Sequence, residues 1–169
     1  MIVSDAEMAA VSERLGELHE AWEGMSYVTV RESEIFDEYG DGQPCREAYR
    51  EFLKDRVAAG AKYLVLMGDG CYDNRQLMRS AGSANRYRLK TCQSKEAFST
   101  TGSYCTDDWF GMAYDGNNIV RDSMNLCVGR ITAYTVEQAE AYVDKVERYM
   151  MNEVFDGRQH CGIVFVWQR

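Results

Sequence analysis

Five aspartates stand in loops that also carry glycines or turn residues: Asp69, Asp73, Asp107, Asp108 and Asp115. Loop carboxylates are the oxygen donors that a hard cation such as calcium gathers, roughly six to eight at a time. No contiguous EF-hand loop is present, so a calcium site would be assembled from separate loops. Asp107, Asp108, Asp69 and Asp73 are its expected ligands. The plainer reading of the same residues is turn chemistry, because Asp after a strand commonly closes the turn with its own carboxylate.

Nucleophilic chemistry is poorly served. The only two histidines are His19 and His160. His19 falls on an expected helix, where a structural role is the default. His160 precedes Cys161, and a Cys–His pair can yield a thiolate nucleophile. Neighbours on a strand point to opposite faces, however, so adjacent residues form a poor dyad. Cys71 lies at the mouth of the expected sheet without a histidine to activate it. The six cysteines are Cys45, Cys71, Cys92, Cys105, Cys127 and Cys161, and none lies in a CxxC pair, so zinc-ligand spacing is missing. Cys127 and Cys161 sit in or beside apolar runs and are expected as core thiols. Gly68-Asp69-Gly70 has neither the GxGxxG nor the GKS/GKT continuation of a nucleotide-binding loop. No catalytic and no cofactor-binding residue is assigned.

These residues are positioned by the stretch KYLVLMGDGCYDNR, Lys62–Arg75. Its apolar run Tyr63–Met67, closed by glycines, reads as a strand buried on both faces. Such strands build parallel α/β sheets, which place ligand groups just past their carboxyl ends. Ahead of it, residues 1–4 suggest a short strand and 6–22 a helix capped by Asp5, with Met8, Val11, Leu15, Leu18 and Trp22 along one face. Residues 25–30 read as a strand, 33–39 as a short helix and 45–59 as a helix opened by Pro44 and closed by Gly60. Residues 71–123 form a long polar and aromatic excursion, with a short strand or hairpin arm expected over 86–92. Residues 125–129 read as another buried strand. Thr135 with Gln138 makes a capping box before a helix over 136–152, which places Ala139, Tyr142, Val143, Val146 and Met150 on one face. Residues 161–167 form a last apolar strand. A core strand so close to Arg169 suggests a chain cut short. The alternation implies right-handed crossovers and a three-layer α/β/α domain spanning residues 1–169, with a mainly parallel, Rossmann-like sheet.

Composition narrows the partners. The 169 residues are 46% hydrophobic and 27% charged, enough for one domain with a real core. A net charge of −8 opposes binding to nucleic acid through phosphates. The basic cluster Arg75, Arg79, Arg86, Arg88 and Lys90 reads as a solvated loop. No run approaches the roughly 18 apolar residues of a membrane-spanning helix, and the start, MIVSDAEM, shows no signal peptide.

Four segments together resemble the gingipain-type cysteine peptidases, a family that includes the sortase of the type IX secretion system. They are EIFDEYGDGQPCREAYREFLK at Glu34–Lys54, KYLVLMGDGCYDNR at Lys62–Arg75, TDDWFG at Thr106–Gly111 and CVGRITAYTVEQAEAYVDKVERY at Cys127–Tyr149. The resemblance implies the first of two side-by-side α/β subdomains, the second being caspase-like. It implies that the catalytic histidine and cysteine belong to that second subdomain, which would follow as this chain's partner. It further implies a secreted or cell-surface setting and a chain inactive alone. An alternative is a non-catalytic scaffold domain that docks a protein through Tyr104, Trp109 and Phe110. A third reading is a flavodoxin-like binder with its ligand in the loops after Met67 and Val128.

Overall fold

The computed structural model describes residues 1–70, 89–93, 102, 104–119 and 121–151. The strand expected over 161–167 lies outside them, as do Cys71, Asp73, Arg75, Arg79, Arg86, Arg88, His160 and Cys161. The element order is β1 (Ile2–Ser4), α1 (Ala9–Glu23), β2 (Thr29–Arg31), α2 (Glu32–Tyr39), α3 (Arg46–Ala58), β3 (Tyr63–Met67), β4 (Cys92–Gln93), β5 (Cys105–Thr106), a 3-10 turn (Asp108–Gly111), β6 (Cys127–Ile131) and α4 (Val136–Met150). Four strands form one sheet in the order β2-β1-β3-β6. Every pairing in it is parallel. β4 and β5 make a separate antiparallel ribbon.

The central strand stands inside the sheet, between β1 and β6. Its period-two alternation feeds two cores. Leu64 and Leu66 join Val3 in a cluster with residues of α2, α3 and the 3-10 turn, among them Ile35, Tyr49, Phe52 and Phe110. Val65 and Met67 face the opposite way, toward Ile2, Ile131 and the apolar stripes of α1 and α4, including Val11, Leu15, Ala139 and Val143. Helices therefore cover both faces, as the three-layer expectation requires.

Element ends depart from the sequence reading where pairing overrides local preference. The second strand is Thr29–Arg31 rather than 25–30, because β1 offers only three residues to pair with it. β6 covers Cys127–Ile131 rather than 125–129. The register Tyr63↔Cys127 to Met67↔Ile131 sets it, while the Asn125 and Leu126 amides donate to the Gly111 carbonyl instead. α1 begins at Ala9, one turn late: Asp5 accepts from the Met8 amide at 2.9 Å, ahead of the helix. Pro44 stands before Cys45, the residue that caps α3, and not in its first turn. Thr135 and Gln138 do form the reciprocal capping box of α4. Cys127, expected in the core, is exposed, at the start of β6, one of the two edge strands of the described sheet. Trp22 and Tyr142 are likewise exposed, although the helical spacing had put them on the packed faces.

Candidate functional site

A parallel sheet presents its chemistry at the carboxyl ends of its strands, most of all where neighbouring strands run off in opposite directions. Here that point lies between β1 and β3, since β2 follows β1 on one side and β6 flanks β3 on the other. The exit of β3 is narrow. Gly68 sits at φ 146°, a region that side chains disfavour. A Cβ on Gly70 would lie 2.2 Å from Thr91 Cγ2 and 3.5 Å from the Arg130 guanidinium carbon. Only glycine lets those two side chains close over the turn.

Arg130, near the end of β6, is the centre of this edge. Its Nε and Nη2 each donate to Asp107 at 2.7 Å, one to each carboxylate oxygen. Its Nη1 donates to the Gly68 carbonyl at 3.0 Å, and Nη2 also reaches the Lys90 carbonyl at 2.8 Å. One guanidinium thus ties three separate segments to the strand end. Its planar fork is what makes the two-point grip on a carboxylate possible.

A buried carboxylate adjoins this edge through Lys90. Glu32, at the start of α2, is 7% exposed. Its Oε1 accepts from the Tyr49 hydroxyl and from the Lys90 amide, both at 2.8 Å. Burial raises its pKa above the usual carboxylate range; the two hydrogen bonds and the charges of Lys90 and Arg130 pull the other way without reversing it. A carboxyl whose folded pKa is raised contributes stability that is fully present below its unfolded value and is lost as pH climbs through the folded one. Glu32→Gln keeps an acceptor for both donors and removes the buried charge. The melting temperature of Glu32→Gln relative to the parent is therefore expected to rise as pH climbs above the ordinary carboxylate range. Glu32→Ala strands the Tyr49 hydroxyl and Lys90 amide, and should cost about 1–3 kcal/mol. A pH-independent Glu32→Gln difference would show that the buried charge has no such effect.

The expected ligands are distributed unevenly over this edge. Asp107 faces Arg130 with both oxygens. Asp69 is a turn residue: its Oδ1 accepts from the Gly70 amide at 2.9 Å, while its backbone bridges Ala133 and Leu89. Asp108 is exposed, and its amide donates to Thr106 Oγ1. Asp115 reaches Lys54 at 2.6 Å, away from this edge. Asp73 lies outside the described residues. Among the described residues no three His, Cys, Asp or Glu side chains converge as a metal ion would require.

Sequence reasoning did not single out Arg130 or Glu32, took Tyr49 only as part of the packed face of the helix over 45–59, and read Lys90 as part of a solvated patch. Lys90 is in fact 6% exposed; its ammonium stands 5.7 Å from the Phe36 ring centre. Two of the three proposed docking rings are also in the core: Trp109 and Phe110 are 9% and 1% exposed, and only Tyr104 is open to solvent. His19, as expected, serves a local role, with Nδ1 2.8 Å from Glu23 one helical turn on.

The chain matches peptidase family C25 over residues 1–166. No curated protein matches it. Among solved structures it is similar to the dimeric latent PorU from Porphyromonas gingivalis, with 32% identity and a TM-score of 0.73. That likeness covers 88% of this chain and 15% of the PorU chain, so the chain spans about a seventh of its neighbour's length. The fold shared over that aligned stretch is the parallel sheet clad by helices on both faces. By the extent of the family match, and by the fold that accompanies it, this chain belongs to peptidase family C25, the gingipain-type cysteine peptidases.

Proposed function

We propose that the chain is the amino-terminal α/β part of a gingipain-type cysteine endopeptidase that works in type IX secretion, and that it is inactive alone. The observation that carries this is the 32% identity to PorU, a type IX sortase, over 88% of the chain. In this reading the reacting thiolate, and the histidine that manages its protons, come from a caspase-like subdomain beyond these residues. The part described here supplies a rigid parallel sheet, fixed at its carboxyl edge by Arg130 and Asp107, as a buttress for that subdomain. Neither Asp107 nor Arg130 takes part in bond-making.

The test compares the purified 169-residue chain with a polypeptide that includes the caspase-like subdomain, using fluorogenic peptides. The chain alone should give no turnover that iodoacetamide abolishes, and the longer polypeptide should give it. Iodoacetamide-sensitive cleavage by the 169-residue chain would overturn the proposal.

A further inference from the structure

The backbone of β6 is set to pair on its open side. The Cys127 amide donates to the Lys62 carbonyl at 2.9 Å, and the Ile131 carbonyl accepts from the Gly68 amide at 2.9 Å. With a period of two, Cys127, Gly129 and Ile131 therefore turn their N–H and C=O groups toward β3. Val128 and Arg130 turn theirs outward, and among the described residues no strand meets them. Sheet edges are usually blunted by shortness, proline, lysine or a bulge. β2, at the other edge, has only three paired residues. β6 pairs over five in unbroken register, and its sequence CVGRI has neither proline nor lysine.

The surroundings of this edge are apolar and uncovered. Cys127 and Gly129 share a face with their register partners Tyr63 and Val65. Both are exposed, and a Cβ on Gly129 would meet nothing within 4 Å. Tyr63 is 51% exposed. On α4, Asp144 and Glu147 turn toward α1 and pair with Arg14. Tyr142 and Tyr149, two turns apart on the opposite flank, are 46% and 62% exposed.

The handedness of the crossovers limits what can fill the edge. α1 and α4 pack on the same face of the sheet. The right-handed step over α1 runs from β1 to β2, away from β6. A right-handed step over α4 takes the same direction, back across the sheet and not out past the open edge. The strand next in the chain therefore does not reach that edge by the ordinary crossover. The polypeptide leaves α4 just past Tyr149, on the same side of the domain, so what lies farther along the chain starts beside the edge.

We propose, resting on the reading above that a caspase-like subdomain follows, that the open edge of β6 receives an extended apolar strand of that subdomain. The added strand pairs with the outward N–H and C=O groups of Val128 and Arg130 and lies against Tyr142 and Tyr149. Main-chain hydrogen bonds hold such a strand, and pockets for alternate side chains select it. The open space over Gly129 is the place for one of those side chains.

The experiment measures amide exchange, residue by residue, in the 169-residue chain and in the longer polypeptide that includes the following subdomain, each at several concentrations. Exchange at Val128 and Arg130 is expected to slow about a hundredfold or more in the longer polypeptide. Gly129 and Ile131, whose amides already face β3, should change little. Iodoacetamide, followed by peptide mapping, should label Cys127 more slowly there as well. Unchanged exchange at Val128 and Arg130 would overturn the proposal. So would protection that already appears in the 169-residue chain and grows with its concentration, because a second copy would then hold the edge. Peptide turnover is scored separately. Turnover without protection removes the added strand and leaves the proposed function standing; protection without turnover does the reverse.

Discussion

Replacing Arg130 with methionine is expected to lower the unfolding free energy by about 3 kcal/mol, read from urea denaturation. Methionine keeps most of the aliphatic volume, so the loss isolates the guanidinium. An exposed ion pair would contribute about 0–1 kcal/mol, but the Arg130 side chain is only 8% exposed. Breaking a buried pair from one side costs about 3–5 kcal/mol, because the other charge stays behind. The partner Asp107 is 28% exposed and recovers some hydration, which sets the estimate at the low end. The Gly68 and Lys90 carbonyls also lose their donor.

Arg130→Lys is expected to recover less than half of that loss. A lysine ammonium is a point charge and cannot serve two carboxylate oxygens and two carbonyls in fixed directions. The loss should be local before it is global. Amide exchange at Leu89, whose N–H donates to the Asp69 carbonyl, should quicken first, because Arg130 binds the Lys90 carbonyl next to it. An Arg130→Met protein within 1 kcal/mol of the parent would show that Arg130 is not what closes the strand edge.

The contrast between Arg130 and the strand that it crosses shows what a sequence reveals. Tyr63–Met67 was legible because a central parallel strand must be apolar on both faces, and five consecutive residues carry that signal. The α4 cap was legible because Thr135 and Gln138 meet within one turn. Arg130 binds partners 23, 40 and 62 positions away. No spacing rule reaches that far, so a hub residue reads like any arginine after a strand. Glu32 is hidden for the same reason, its acceptors being filled from α3 and from Lys90. Asp69 shows the turn chemistry that its neighbouring glycines allow, its Oδ1 accepting from the Gly70 amide. The shift of β6 by two residues was likewise a matter of register, which only the paired strand supplies.

Aromatic loop residues give the sharpest case. Tyr104, Trp109 and Phe110 look alike in sequence, whether as anchors for a partner or as plugs in a core. Phe110→Ala is expected to cost about 4 kcal/mol of stability, the usual penalty for emptying a large buried ring. Phe110 is 1% exposed. It meets Tyr49 edge to face at 5.0 Å and Trp109 at 5.4 Å, contacts that add about 0.5–1.5 kcal/mol each beyond buried area. The short turn Asp108–Gly111 is thereby packed onto α3. Phe110→Leu, which refills most of the space, should cost less than about half as much. Tyr104→Ala, on a ring 52% exposed, should stay within about 0.5 kcal/mol of the parent. Guanidinium titrations of the three variants decide between the readings. A core plug gives the order Phe110→Ala, Phe110→Leu, Tyr104→Ala in falling cost. A docking anchor would leave all three as stable as the parent, and that result would place Phe110 outside the core.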